Sequence, residues 1–333
     1  MAERITLKDI ARHVGLSISG VSLALRADPR VPAETVRRVR EAADELGYVQ
    51  NLAAANLRTS RSDTIAVCLG DLSNPIFNDI LIRAEEEIDR RGKRMMLGVS
   101  REDIERQDDF IRQALRMGAE ALLLCPAYDT TADILAKVLL RDGKPRLPTA
   151  LLFRSIDGFP CPQVASDEVE AGRLAGRLAL RSGHRRFVWI GGGSHTSVAR
   201  DRQFGALEVL EQAQPRNVTV INGPTSRQFG YETAHRILMD DPVGDLCFLC
   251  FSDLIALGAL SACHALGKLV GEAVSVIGCD DMDEVKYSVP PLSTVHIDIP
   301  GIVRLGMKAA LDGDVASRTT LAPRLKERKS VRP

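Results

Sequence analysis

Short apolar runs alternate with amphipathic segments along most of the chain, from Thr64 onward. The runs have the length of buried strands, and the apolar residues between them recur at helical spacing. This alternation predicts an α/β fold of doubly wound parallel sheets with right-handed crossovers. The predicted strands form a first series, Thr64–Leu69, Met95–Val99, Ala121–Cys125 and Thr149–Phe153, and a second, Phe187–Ile190, Val218–Ile221, Leu246–Phe251 and Val274–Gly278.

Two series of strands indicate two lobes. The last apolar run, Ser293–Ile297, is followed by the helical segment Gly301–Leu311, and we expect both to close the first lobe. On this division the first lobe covers about 63–161 and 294–333, and the second lobe covers about 162–293.

The first fifty residues differ, because they show helical spacing only. Thr6 followed three positions later by Asp9 has the form of a capping box, which predicts a helix start. Gly15 suits a tight turn after that helix, and Ser17 is a favourable N-cap for the next. The spacing predicts a helix-turn-helix module over residues 1–50, with a third helix over Ala33–Leu46.

Such a module leaves the outward face of its second helix free for the major groove of DNA. The residues on this face are Ile18, Ser19, Gly20, Ser22 and Leu23. Arg37, Arg38 and Arg40 lie on the outward face of the third helix, where arginines contact phosphates. The alternative is a short helical hairpin that packs against a neighbour.

Charge and length narrow the function classes only slightly. The formal net charge is zero, but the first 62 residues carry ten Lys and Arg against seven Asp and Glu, which weakly favours a polyanionic partner. No apolar signal segment opens the chain and no apolar run has spanning length. We therefore expect a cytoplasmic, nucleoid-associated protein without membrane contact.

The candidate chemistry does not indicate an enzyme. Gly191–Gly193 matches no phosphate-binding fingerprint, no catalytic set has a coherent spacing, and His184 is expected in a surface turn. The seven cysteines are scattered, and Cys247 and Cys250 share CxxC spacing within an apolar run. A buried strand explains that run better than a metal or redox site. We expect no cofactor and no metal.

The N-terminal segment resembles the DNA-binding headpiece of the lac/gal repressor (LacI/GalR) family. The residues that carry the resemblance are TLKDIARHVGLSISGVSLAL, from Thr6 to Leu25, and ELGY with Asn51 three residues further on. The resemblance implies that Thr6, Ser17 and Asn51 contact DNA together with the reading residues named above. Two departures concern specificity: Leu23 and Gly20 replace an arginine and a larger residue, so the reading helix offers no bidentate donor for guanine.

Residues 51–62 resemble the hinge helix and linker of that family, on the sequence LAAANLRTSRS. In the family two such helices lie in the operator's central minor groove, which places Ala54 and Leu57 against DNA, with Leu57 wedged between base pairs. The rival interpretation is a plain flexible linker, because so short a helix is marginal alone.

The resemblance extends over residues 63–333. It rests on DLSNPIFNDIL, SDEVEAGRLAGRLAL, SGHRRFVWIGG, RDRQFGALEVL, FSDLIALGAL and VSVIGCDD. It implies a two-lobed type I periplasmic-binding-protein-like fold, a homodimer, and an effector bound between the lobes.

Physical reasoning points to the same cleft, since ligands of open α/β sheets bind beyond the carboxyl ends of strands. Arg202 and Asp280 match the family's effector-contacting arginine and aspartate, and an Arg–carboxylate pair suits a polar, hydroxyl-rich ligand. The remaining expected contacts are Asp71, Ile76, Phe77, Cys125, Arg154, Ser252 and Asp253. A plain Arg202–Asp280 ion pair across the lobes is the alternative.

The residues together favour a repressor that binds a palindromic operator as a dimer and responds to a small polar effector. Cys279, Ile297 and Ser252 depart from the family's usual pocket residues, but a carbohydrate or polyol remains the first expectation for the effector. A solute-binding protein of transport shares the core fold but would lack the headpiece. A nucleotide-using α/β enzyme would need the phosphate fingerprints that are missing.

Overall fold

The computed structural model describes residues 5–48, 63–213, 217–240, 245–313 and 318–333. The chain forms two compact units, Met1–Ser60 and Arg61–Pro333, which we term the headpiece and the core. The predicted hinge over 51–62, with Asn51, Ala54 and Leu57, lies outside the described residues.

The headpiece contains three helices, α1 (Leu7–Val14), α2 (Ile18–Leu25) and α3 (Ala33–Glu45). Ile10, Val21 and Val39 contribute one fully buried side chain from each helix, so the three helices share one small core.

Local capping fixes where these helices begin and end. The Asp9 carboxylate accepts hydrogen bonds from the backbone N–H (2.9 Å) and the hydroxyl (2.6 Å) of Thr6. Gly15 ends α1 with φ of 71°, a conformation that favours glycine. Ser17 then caps α2, because its side chain accepts from the backbone N–H of Gly20 at 3.0 Å. The caps predicted from the spacing are confirmed.

The core begins with β1 (Thr64–Leu69), α4 (Pro75–Asp89), β2 (Arg94–Val99), α5 (Ile104–Arg116), β3 (Ala121–Leu124), α6 (Ala132–Leu139), the hairpin β4 (Leu140–Arg141) and β5 (Lys144–Pro145), β6 (Thr149–Leu152) and β7 (Gln163–Ser166). It continues with α7 (Glu168–Arg181), β8 (Arg186–Ile190), α8 (Ser197–Ala213), β9 (Val218–Ile221), α9 (Arg227–Asp240), β10 (Leu246–Cys250), α10 (Asp253–Ala265), β11 (Val274–Asp280), a 3-10 turn (Asp283–Lys286) and β12 (Ser293–His296). The last elements are α11 (Ile299–Asp312), β13 (Arg318–Leu321) and β14 (Arg324–Lys326).

These strands form two six-stranded sheets. The first has the order β13-β7-β6-β3-β1-β2 with every pairing parallel. The second has the order β14-β12-β11-β10-β8-β9, and among its pairings only β12 with β14 is antiparallel. Helices cover the sheets, so the predicted α/β fold of two doubly wound lobes is confirmed.

The assignment of strand Ser293–Ile297 to the first lobe is wrong. This strand, as β12, pairs with β11 in the second sheet, from Ile277 with Ser293 to Asp280 with His296. Helix α11 does pack on the first sheet, as expected. An apolar run indicates a buried strand but not its neighbour, because pairing depends on contacts distant in sequence.

Three segments of the chain connect the described parts of the lobes, after β7, after β12 and after β13. Two of them lie side by side, since the Asp167 N–H donates to the Leu321 carbonyl at 2.9 Å. The crossing at β7 was not predicted, and it places residues 163–166 in the first sheet instead of the second lobe.

Helices α7 and α8 approach closely through glycines. A Cβ on Gly172 would lie 2.0 Å from the Arg202 carbonyl oxygen, and one on Gly205 would lie 1.9 Å from the Val169 carbonyl oxygen. Any larger residue would push the helices apart, so these glycines fix where Arg202 sits relative to α7. None of the helices in the described residues is long and apolar enough to cross a membrane.

Candidate effector-binding cavity

A cavity of about 830 Å³ opens between the two lobes at the carboxyl ends of their strands. Asn74, Ile76, Tyr128, Phe153 and Arg154 line it from the first lobe. The second lobe contributes residues after β8, β9, β10 and β11, including Asn222, Phe251, Ser252 and Asp280, together with Arg202, Gln203 and Phe204 of α8. Its size is within the range of small-molecule sites.

Arg202 is the central polar residue of this cavity and is only 2% exposed. Its Nε donates to Glu168 Oε2 at 2.8 Å, and its Nη1 donates to the Phe251 carbonyl at 2.6 Å and to Asp280 Oδ1 at 3.1 Å. The guanidinium also lies 5.0 Å from the Phe251 ring centroid. Nη2 of Arg202 and Oε1 of Glu168 are buried and have no hydrogen-bond partner among the described residues; Arg202 lines the cavity, whereas Glu168 is outside its lining.

Asp280 ends β11 and reaches the cavity in a strained backbone conformation, with φ of 117°. Burial raises its pKa well above the ordinary value, and the neighbouring Arg202 opposes this only in part. Burial also raises the pKa of Asp253. Two buried carboxylates with raised pKa values therefore lie near a single arginine.

Arg154 forms the opposite polar wall. Its two terminal nitrogens donate to both carboxylate oxygens of Glu102 at 2.6 and 3.0 Å, and Nη1 also donates to the Pro126 carbonyl at 2.7 Å. The guanidinium lies over the rings of Phe77 and Tyr128, at 5.3 and 5.1 Å from their centroids. Packing and a bidentate ion pair hold this side chain in place.

His195 joins the two lobes at the rim of the cavity. Its Nδ1 lies 3.0 Å from an Asp129 carboxylate oxygen, and its ring stacks on Tyr128 at 5.7 Å between centroids. Both partners belong to the first lobe, whereas His195 belongs to the second. Opening of the cavity would break these contacts.

Of the nine expected effector residues, five line the cavity: Ile76, Arg154, Arg202, Ser252 and Asp280. The other four lie outside its lining. Asp71 accepts from the Ser73 N–H in a turn, Phe77 packs edge-on against Phe153 behind Arg154, and Cys125 is fully buried in the first lobe. Asp253 is also fully buried, because it accepts from the Thr294 hydroxyl at 2.6 Å and the Met282 N–H at 2.9 Å.

Sequence reasoning missed Glu168 and Glu102, the carboxylate partners of the two arginines. Glu168 follows β7, a strand too short and too polar to be recognised by its pattern. Asn222 follows the predicted strand β9 and could have been found by the strand-end rule that pointed to Ser252 and Asp280.

The reading helix of the headpiece is available for contact. Ile18 is 49% exposed and Ser19 is exposed, while Gly20, Ser22 and Leu23 are half-buried. Ser17 is occupied as the cap of α2, and Thr6 is exposed but held by Asp9. Arg37 is held by Glu34 and Glu41, which leaves the exposed Arg40 as the freer candidate for phosphate contact on α3.

The expectation that His184 lies in a surface turn is wrong. His184 is 3% exposed, with Nδ1 2.7 Å from Asp245 Oδ1 and Nε2 2.8 Å from Ser275 Oγ. Ser275 is fully buried and also accepts the Arg332 N–H at 3.0 Å, so the group ties the end of the chain to the second lobe. Cys247 and Cys250 lie buried in β10 with free thiols, which confirms the buried-strand prediction.

Two family descriptions match the chain. Bacterial regulatory proteins of the lacI family match residues 6–51, and the periplasmic binding protein-like domain matches residues 177–331. The first match covers the described headpiece helices, and the second covers most of the second lobe and α11.

Two transcriptional regulators are similar to this protein over most or nearly all of its length. The HTH-type transcriptional regulator GalS of Salmonella typhimurium is 28% identical over 334 residues, 98% of this chain and 96% of that protein. The ribose operon repressor of Bacillus subtilis is 28% identical over 290 residues, 87% of this chain and 86% of that protein.

A crystal structure of a lac repressor dimer bound to operator and the anti-inducer ONPF has the same fold, with a TM-score of 0.86 and 22% identity over 99% of this chain and 100% of that one. The headpiece helices, the two-lobed core and the similar proteins all indicate the same kind of protein. Residues 6–51 match the LacI family of bacterial regulatory proteins, residues 177–331 match the periplasmic binding protein-like domain, and the chain is a DNA-binding transcriptional regulator.

Proposed function

We propose that this regulator is a repressor that binds a palindromic operator as a homodimer and changes its operator affinity when a small polar effector binds between the lobes. The observation that carries this proposal is the cavity around Arg202. Both lobes line this cavity, and Nη2 of Arg202 has no hydrogen-bond partner in the part of the chain that the structure describes. A ligand that contacts both lobes favours their closed arrangement, and this difference in binding free energy is what coupling to DNA requires.

We propose a carbohydrate or polyol as the effector class. The cavity combines aromatic walls (Tyr128, Phe153 and Phe251) with neutral polar side chains such as Asn74 and Asn222. Aromatic faces pack on the apolar faces of sugar rings, while amides and charged groups pair with hydroxyls. The names of the relatives agree with this class in part, since one is a ribose operon repressor.

Two competing functions, a solute-binding protein of transport and an enzyme, fit this chain less well. A solute-binding protein of transport has no use for the headpiece at residues 6–51. An enzyme would need an accessible catalytic group, and in the Ser275–His184–Asp245 group of the second lobe both the serine and the histidine are buried. We therefore propose that the chain is not an enzyme and acts in the cytoplasm, where its DNA target is located.

Selection of operators tests the DNA half of the proposal. The full chain would be used to enrich duplexes from a random-sequence pool, followed by gel shifts at several salt concentrations. We expect a palindromic consensus with two half-sites and an affinity that falls steeply with salt. Absence of enrichment, or a single asymmetric half-site, would contradict a dimeric repressor.

A further inference from the structure

We propose that the effector carries a positively charged nitrogen next to its hydroxyl groups, and that the carboxylates around Arg202 select it over neutral and anionic analogues. This inference rests on the proposed function, because it specifies the ligand of the same cavity. It follows from the carboxylates that surround Arg202, of which Asp280 lines the cavity, and from the polar atoms of this group that have no hydrogen-bond partner among the described residues.

The arginines that line the cavity in the described part of the chain are already matched by carboxylates. Glu102 holds Arg154 with both oxygens, and at the rim the half-exposed Arg200 pairs with Asp201 at 2.8 Å. Arg202 faces two carboxylates, those of Glu168 and Asp280. An incoming phosphate or carboxylate would therefore have to compete with an existing ion pair, which is buried at Arg154 and Arg202 and exposed at Arg200.

The surroundings of Arg202 carry an excess of negative charge. Glu168 and Asp280 are 5% and 7% exposed, and the fully buried Asp253 of α10, although it points into the second lobe, is close enough to raise the pKa of Asp280. The other charged group nearby, Asp281, is held by Arg328 at 2.6 Å and lies 3.2 Å from His296. One guanidinium cannot neutralise three carboxylates, and a buried unpaired charge is costly.

Either a proton or a cation from the ligand can correct this excess. Burial raises the pKa of Asp280, and Asp253 and Glu168 raise it further, so the free protein keeps a proton here near neutral pH. A ligand ammonium would replace that proton and bind the ionised carboxylate. The aromatic rings of Tyr128, Phe153 and Phe251 in the same lining also attract cations.

Matched sugars test the inference in the full chain. Each set contains a hexose, its 2-amino derivative, its 6-phosphate and its uronic acid, in the gluco, galacto and manno series. Binding would be measured by thermal shift and then by calorimetry. In the series with the fitting stereochemistry, we expect the amino sugar to bind about tenfold or more tightly than the neutral hexose, because it gains a charge-assisted hydrogen bond.

Calorimetry in two buffers of different ionisation enthalpy gives an independent readout. We expect the amino sugar to release protons to the buffer near neutral pH and the neutral hexose to release none. Asp280→Asn and Glu168→Gln should each remove most of the amino-sugar preference. Glu208→Gln is the matched control, because Glu208 lies on the same helix as Arg202 but pairs with Arg173 away from the cavity.

The binding results can overturn the inference of a positively charged effector in several ways. It is overturned if the neutral hexose or an anion binds best in every series that binds, or if both variants keep the wild-type preference. If a neutral hexose binds best and changes operator affinity, the proposed function stands and only the charge inference fails. If no member of any series binds, both the charge inference and the carbohydrate class are wrong.

Discussion

Arg202 is the residue on which the second lobe's half of the cavity depends. It is buried, contacts Glu168, Asp280 and the Phe251 carbonyl, and its Nη2 has no hydrogen-bond partner among the described residues. The same side chain therefore holds two buried carboxylates and the Phe251 backbone together at the wall of the cavity.

Replacement of Arg202 by Ala should abolish the effector response and destabilise the core. The change leaves two buried carboxylates without their cation, a loss of about 3–5 kcal/mol for a broken buried pair, reduced to the extent that the carboxylates take up protons. Urea unfolding of the full chain measures it. Arg200→Ala on the same helix removes an exposed ion pair and should change stability by at most about 1 kcal/mol. Equal effects of the two variants would contradict the role given to Arg202.

Asp280 should make stability depend on pH in the direction opposite to most surface carboxylates. Its pKa is raised in the folded chain by burial, so the folded chain holds a proton that the unfolded chain has already lost. The contribution of this group to the free energy of unfolding therefore falls as pH rises from about 4 toward neutrality. Asp280→Asn should flatten that fall, measured by chemical unfolding across pH. An unchanged pH profile would contradict a raised pKa at Asp280.

At the scale of elements, the packing of α7 on α8 determines where Arg202 lies. Gly205 is one turn from Arg202, and its Cα approaches the backbone of α7. Gly176 is less crowded, since an added Cβ would lie 3.1 Å from the Ala206 carbonyl oxygen.

Gly205→Ala should therefore cost about 1–3 kcal/mol or more of stability, because overpacking forces the helices apart, and it should also weaken effector binding. Gly176→Ala should cost less and leave binding nearly intact. Thermal unfolding and effector titration of both variants measure the difference. Equal stability losses with equal binding would show that the crossing of α7 and α8 does not position Arg202.

Local patterns predicted most elements but not their neighbours. The Thr6–Asp9 cap, Gly15 and the long apolar strands are short-range features, so they could be recognised from the sequence. The placement of β12 in the second sheet and of β7 in the first could not, because four-residue strands carry little pattern and their partners are distant in the chain.

The site residues could be predicted only in part for the same reason, since contacts between residues distant in sequence cannot be recognised from local patterns. The strand-end rule found Ser252 and Asp280, whereas Glu168 became visible only when the crossing of α7 and α8 brought it to Arg202. Asp253 was expected in the cleft because it follows β10, yet its bonds to Thr294 and Met282 point it into the second lobe.

At the scale of the whole molecule, a ligand-responsive repressor requires that effector binding in the core and DNA binding by the headpiece be coupled energetically. From the resemblance to the family we propose that Leu57 belongs to the hinge and contacts DNA. We expect Leu57→Gly to weaken operator binding by about tenfold or more while effector binding and core stability stay the same, because a wedge between base pairs is lost and the core is untouched. Anisotropy with labelled operator and a thermal melt measure both properties. An unchanged operator affinity would show that Leu57 does not wedge into DNA.

The most direct test of the coupling is operator affinity with and without a ligand that stabilises the core. Fluorescence anisotropy would be measured on the selected operator for the wild-type chain and for Arg202→Ala. We predict that saturating ligand changes wild-type operator affinity by about 5–150-fold, the usual range of coupling free energies, and leaves Arg202→Ala unchanged. A ligand that stabilises the wild-type core yet leaves its operator affinity unaltered would contradict the account.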